Sequence, residues 1–167
     1  MRFGSQLLPI AFATLLTAAG PLTAQTLGSP APEFTLKTLA GGTANLSDYA
    51  GRPVFVNFWA SWCKPCRGEM SDIIAAYDAH SDQHLQVLAI NLTDQERMKD
   101  VRKFVDEFRM PFPVLFDEKG KVRKRYALRG VPTSVFIDAQ GVVRFVNPGP
   151  ITSETMRRGL AEILPAR

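Results

Sequence analysis

Hydrophobic positions change their spacing along the chain, and each change marks an element. In EFTLKTLAGGTANL they alternate with polar residues on either side of Gly41-Gly42, the pattern of a β-hairpin. PVFVNFWA is almost continuous in apolar and aromatic side chains, as a strand buried on both faces inside a sheet requires. Met70, Ile73, Ile74 and Tyr77 then fall at i, i+3, i+4 and i+7, one apolar face of a helix. LQVLAINL, from Leu85, predicts a second inner strand. TDQE, Thr93 to Glu96, has the form of a capping box opening a helix whose buried stripe is Val101, Phe104, Val105 and Phe108. FPVLFD predicts a short strand and GKVRKRYAL a helix; TSVFID and VVRFV form a strand pair turned at Gln140-Gly141, and TSETMRRGLAEIL is a closing helix. The order makes a layered α/β domain, a mixed central sheet flanked by helices.

With 167 residues, 46% of them hydrophobic, the chain has material for one domain and one core. It opens differently. MRFGSQLLPIAFATLLTAAGPLTAQ places Arg2 before an apolar stretch, Leu7 to Ala19, that ends in small residues and Pro21, the order of a secretory signal peptide. Residues 1–24 are therefore a signal peptide cleaved after Ala24 or an uncleaved N-terminal membrane tether, 25–32 a leader, and 33–167 the folded domain. Export places the protein in an oxidising compartment, the periplasm. The net charge of +4 is a weak clue. The densest basic run, Lys119 to Arg129, reads as a solvated helix face or a dock for an acidic partner. Without interleaved aromatics it offers no platform for nucleic acid.

Both cysteines, Cys63 and Cys66, lie in NFWASWCKPCRGEM. A loop this small makes a poor staple, since a disulfide stabilises mostly by closing long loops in the unfolded chain. Their chemistry is the better reason for the pair. Cys63 opens a helix, where free amides and the helix dipole favour a thiolate; Lys64 and Arg67 add positive charge, and Pro65 suits the first turn. This predicts an exposed nucleophile at Cys63 and a resolving thiol at Cys66. Cys63 and Cys66 with His80 and His84 also match a zinc spacing. One helix in between would put His80 roughly 20 Å from Cys66, too far for ligands that must all lie within about 2.3 Å of the metal. No metal is expected. Glu69 is either a surface carboxylate or a proton carrier for the dithiol. Asn57, polar within an inner strand, needs partners if buried.

NFWASWCKPCRGEM, RGVPT and the upstream APEFTLKTLAGG together resemble the TlpA/ResA/DsbE-like thiol-disulfide oxidoreductases of thioredoxin-like fold, a likeness running from Ala31 to the C-terminus. The resemblance implies an N-terminal β-hairpin and an extra helix and strand from about Asp94 to Asp117. It implies a cis Pro132 facing the dithiol, with Trp62, Pro65 and the Val131 backbone binding substrate by strand addition. Glu69 matches the family's active-site glutamate, and Asn57 stands where thioredoxin has a buried aspartate. Ser71 replaces a common proline. The function implied is reduction of disulfides in exported proteins, apocytochrome c above all, with electrons from a membrane thiol reductant and no cofactor beyond the Cys63-Cys66 pair. Alternatives are an oxidase or isomerase, a copper-site thiol reductase, or a metal- or partner-binding module.

Overall fold

The computed structural model describes residues 27–165; the expected signal segment and the cleavage expected after Ala24 lie outside them. Strands β1 (Thr35–Thr38) and β2 (Thr43–Asn45) form the expected hairpin. Gly41 and Gly42, both at positive φ, make a turn that few other residues could adopt. Next come β3 (Val54–Trp59), α1 (Lys64–Ala79), β4 (Gln86–Asn91), α2 (Met98–Phe108), β5 (Val114–Phe116), α3 (Lys121–Arg125), β6 (Thr133–Ile137), β7 (Val143–Pro148) and α4 (Ser153–Ala161). The sheet order is β2-β1-β5-β4-β3-β6-β7. Strands β3, β4 and β5 run parallel, and β6, β7, β1 and β2 pair antiparallel. The extra helix and strand are α2 and β5, and β5 joins the hairpin to the rest of the sheet.

Every residue of β3 is buried, because α1, α2 and α4 cover one face of the sheet and α3, with Phe34 and Leu46 from either side of the hairpin, covers the other. Strand alternation then divides its side chains. Phe55 and Trp59 enter a core shared with α1, α2 and α4, whereas Val54, Val56 and Phe58 enter a second core with Leu36, Val122 and Tyr126. Phe55 stacks on Phe136 at 4.6 Å, and Trp59 packs against Phe104 at 4.5 Å. Each such side chain contributes about 1.5–3 kcal/mol by leaving water. No helix among the described residues is long and apolar enough to cross a membrane.

Three local readings change. Thr93 to Glu96 is not a capping box: Thr93–Gln95 form a single 3-10 turn, and α2 starts at Met98 with Arg97 as a cap whose side chain makes no capping bond to the helix amides. The carboxylate of Glu96 is engaged elsewhere. The basic helix is short, and its cations are partly committed, Arg123 to Asp94 and Arg125 to the Glu33 carbonyl. Residues 28–31, expected as part of a leader, are bonded to the domain, with Gly28 N–H donating to Val143 O, Val143 N–H to Ser29 O and Ala31 N–H to Gly141 O. Because β6 runs antiparallel to β3, this contact lies at the end of the sheet opposite Cys63.

Candidate active site

Strand β3 ends at Trp59, and the chain turns through Ser61 and Trp62 into α1. Cys63 is the N-cap of that helix, in extended backbone, and its Sγ accepts the Cys66 N–H at 3.2 Å. Pro65 occupies the first turn, where a missing N–H costs nothing. The two cysteines are joined as a disulfide, with Cα atoms 5.3 Å apart. The expected exposed nucleophile is corrected here, since Cys63 is only 3% exposed and Cys66 is fully buried. The reason is the cap itself: a side chain turned in to the Cys66 amide and bonded to the Cys66 sulfur is turned away from solvent. Trp62, just before Cys63, is 56% exposed, and Lys64 and Pro65 are exposed as well. Arg67 is drawn sideways to Glu107 and over the rings of Phe104 and Phe108.

On one side of the cysteines lies β6. The Val131-Pro132 peptide is cis. Pairing of Phe58 with Thr133 brings Pro132 to the same end of the sheet as the cysteines, and Val131 packs against the cluster that contains both. Gly149 N–H donates to Pro132 O at 2.9 Å, tying the loop before α4 to the proline. Glu69, one turn beyond Cys66 on the same helix face, is buried. It accepts Asn57 Nδ2–H at 3.0 Å and Ile151 N–H at 2.8 Å. Burial pushes its carboxyl above the usual range; the two hydrogen bonds oppose this, and the charge of Asp72 adds to it. The side-chain oxygen Oδ1 of Asn57 is buried with no hydrogen-bond partner among the described residues.

On the other side lies β4, whose last residue, Asn91, sits opposite Trp59. Asn91 Nδ2–H donates to Glu96 at 2.7 Å. The same carboxylate accepts Ser61 N–H at 2.9 Å and the Ser61 hydroxyl. Among the described residues no group of three or more His, Cys, Asp or Glu side chains is placed to hold a metal ion. His80 closes α1, its Nδ1 bonded to Ala76 O, with the whole of that helix between it and Cys63.

A vicinal disulfide pair on a helix N-terminus can take and return two electrons by thiol exchange. Residues 27–146 match the AhpC/TSA family, well over half of the chain. The chain belongs to that family. Within it, the chain is 38% identical over 143 residues to the thiol-disulfide oxidoreductase ResA of Geobacillus kaustophilus (strain HTA426), covering 86% of this chain and 81% of the relative. It is 40% identical over 134 residues to the thioredoxin-like protein YneN of Bacillus subtilis (strain 168), covering 80% and 78%. The crystal structure of a putative thiol:disulfide interchange protein DsbE from Chlorobium tepidum superposes with a TM-score of 0.76 at 31% identity, over 83% of this chain and 97% of that one. This AhpC/TSA-family protein is thus a thiol-disulfide oxidoreductase of thioredoxin-like fold.

Six of the residues singled out in the sequence, Trp62, Cys63, Cys66, Glu69, Val131 and Pro132, stand together at one end of the sheet of this AhpC/TSA-family protein; Pro65 lies with them on the exposed rim. Gly68 and Ser71 are exposed on an unbroken α1. Sequence reasoning missed Asn91, Glu96 and the Ile151 amide. Asn91 carried the signal that marked Asn57, a polar side chain in an otherwise apolar strand; Ile151, contributing only backbone, carried none.

Proposed function

We propose that this oxidoreductase is an exported, periplasmic reductant of protein disulfides. The observation that carries the exchange chemistry is the cap: Cys63 Sγ receives the Cys66 N–H at the N-terminus of a sixteen-residue helix, where a thiolate is favoured, while the reducing direction is what the resemblance to the TlpA/ResA/DsbE-like proteins implies. In the dithiol form, the Cys63 thiolate attacks one sulfur of a substrate disulfide. A Cys63–substrate bond forms, the substrate S–S bond breaks, and the departing thiolate takes a proton. Cys66, deprotonated, then attacks Cys63 Sγ and releases the second substrate thiol. Two electrons pass from the dithiol to the substrate, leaving the Cys63-Cys66 disulfide. Glu69, buried one turn from Cys66, is the group that takes the Cys66 proton and returns it to the departing thiolate. Trp62, Pro65 and the backbone of Val131 beside Pro132 receive the substrate as an added strand.

Disulfide-bearing exported proteins are the substrates, apocytochrome c with its haem-attachment cysteines first among them, and a membrane thiol reductant regenerates the dithiol. The chemistry needs neither metal nor organic cofactor, because both electrons reside on the sulfurs. The deciding experiment is the equilibrium reduction potential of the pair in a defined thiol buffer. A value near or below thioredoxin's, about −270 mV, is expected; a value approaching about −120 mV would reverse the direction of flow.

A further inference from the structure

The dithiol follows β3, and β3 lies between β6 and β4 in the sheet. The β6 side holds Val131 and Pro132, already given to substrate. The β4 side holds an open groove of about 520 Å³ that starts at Ser61 and Trp62 and runs along α2 past Glu96, Lys103 and Phe104. Trp62 is the only large hydrophobic side chain besides Leu27 that stands exposed among the described residues. An indole left in water beside a reactive pair is an anchor without a partner. The other charges along the groove are mostly spent on one another, Arg67 with Glu107 and Arg97 with Asp100, leaving Lys103 as the cation there without an ion pair among the described residues. Such a wall suits an extended, largely uncharged polypeptide that lays an apolar side chain on the indole.

What fixes this wall is Glu96. The Ser61 amide lies past the end of β3, outside the sheet, and its acceptor is the Glu96 carboxylate rather than a backbone carbonyl. The carboxylate is held in turn by Asn91, whose own oxygen accepts the Thr93 hydroxyl at 2.9 Å. The Trp62 backbone therefore hangs between two fixed points, Ser61 clamped to the end of β4 and Cys63 capping α1. We propose that Glu96 is a positioning residue for protein substrates: by holding Ser61 it sets the Trp62 indole as the wall of a groove that takes the polypeptide running on from the substrate cysteine, away from Val131 and Pro132. This deepens the reading under Proposed function and rests on it.

The test compares two oxidants for the reduced protein: the disulfides of insulin, which bring a polypeptide, and oxidised glutathione, which brings almost none. The quantity read is the ratio of the two second-order rate constants. Glu96→Ala lowers that ratio about tenfold, as loss of orientation without loss of chemistry should. Glu96→Gln, whose Oε1 still accepts the Ser61 N–H, keeps it within about threefold. Trp62→Ala, on the surface and no threat to folding, lowers it as Glu96→Ala does. A ratio in Trp62→Ala or Glu96→Ala equal to that of the unsubstituted protein would overturn the proposal. So would a Glu96→Gln ratio as low as that of Glu96→Ala, which would make charge rather than placement the cause. If the unsubstituted protein reacts with neither oxidant, the reading of the site as a protein-disulfide reductant fails, and this proposal with it.

Discussion

The two ends of the sheet each bury a carboxylate, and they treat it oppositely. At the end away from the cysteines, Asp138 accepts N–H bonds from Gln140 at 3.0 Å and Val142 at 2.9 Å, and pairs with Arg144 at 2.5 Å. Burial would raise its carboxyl, but these donors and the guanidinium charge outweigh burial and hold it below the usual range. At the cysteine end, Glu69 has two donors and no cation, and burial wins. Its neighbour Asn57 is left with an acceptor unmet among the described residues. Asp138 follows the rule that buried polar groups are satisfied; the Glu69–Asn57 pair departs from it where the chemistry is. A carboxylate made costly in this way holds a proton more readily than a solvated one does.

The largest expected effect removes the reacting end and leaves the other intact. Cys66→Ser abolishes turnover while Cys63 still attacks, so incubation with a protein disulfide accumulates a mixed disulfide visible as a mass increase equal to the substrate chain. Cys63→Ser gives no adduct. If Cys66→Ser turned over, or if the adduct formed on Cys66 in the Cys63→Ser protein, the order assigned to the two sulfurs would be wrong.

Glu69→Gln tests the cysteine end directly. Without a group that exchanges a proton, reduction of a protein disulfide at neutral pH slows roughly a hundredfold. Stability moves the other way. Because the folded carboxyl is raised, the folded protein binds its proton more tightly than the unfolded chain does, and Glu69 weakens stability as pH rises above the unfolded value of about 4.3. The stability of Glu69→Gln relative to the unsubstituted protein therefore climbs as pH is raised from about 4, read from denaturant midpoints across pH. A constant difference would mean that Glu69 is not the strained carboxylate described.

Gly159→Ala tests whether the packing of α4 on β6 is as tight as the contacts say. A Cβ there would meet Phe136 ring atoms at 2.6 Å. The ring cannot retreat easily, being stacked on Phe55 and packed against Phe145. Overpacking costs about 1–3 kcal/mol, offset by about 1 kcal/mol of helix propensity. A net loss of up to about 2 kcal/mol in denaturant unfolding is expected. Since α4 follows directly on Ile151, a shift of the helix should also loosen the bond from that amide to Glu69.

Where the sequence was readable, and where it was not, follows the same division. PVFVNFWA announced β3 because burial on both faces leaves a continuous apolar signature, and Met70 and Ile73 announced the inner face of α1 by spacing alone. The hairpin was legible in two glycines. Thr93 to Glu96 misled, because the string of a capping box is also a string that can bond elsewhere. Only Asn91 and, thirty-five residues upstream of Glu96, Ser61 decide that its carboxylate leaves α2 uncapped. The burial of Cys63 was equally beyond reach, since it depends on which way an N-cap side chain turns. Local periodicity writes the scaffold; the site is written in contacts between segments.

The smallest effect comes from the settled end, and it carries the opposite sign. Asp138→Asn keeps the size of the side chain but gives up the charge that faces Arg144 and one of the two oxygens shared among three donors. A loss of about 1 kcal/mol at neutral pH is expected, moderated because Arg144 is partly exposed and the pair is screened. For a carboxyl held low, the stabilisation is present above the unfolded value of about 3.9 and disappears as pH falls through the folded value. The deficit of Asp138→Asn should therefore be full at pH 7 and vanish in strong acid, whereas the advantage of Glu69→Gln grows from about pH 4 upward. Equal pH slopes for the two variants would break the comparison, because both carboxylates would then be answering to the net charge of the whole protein rather than to the donors around each of them.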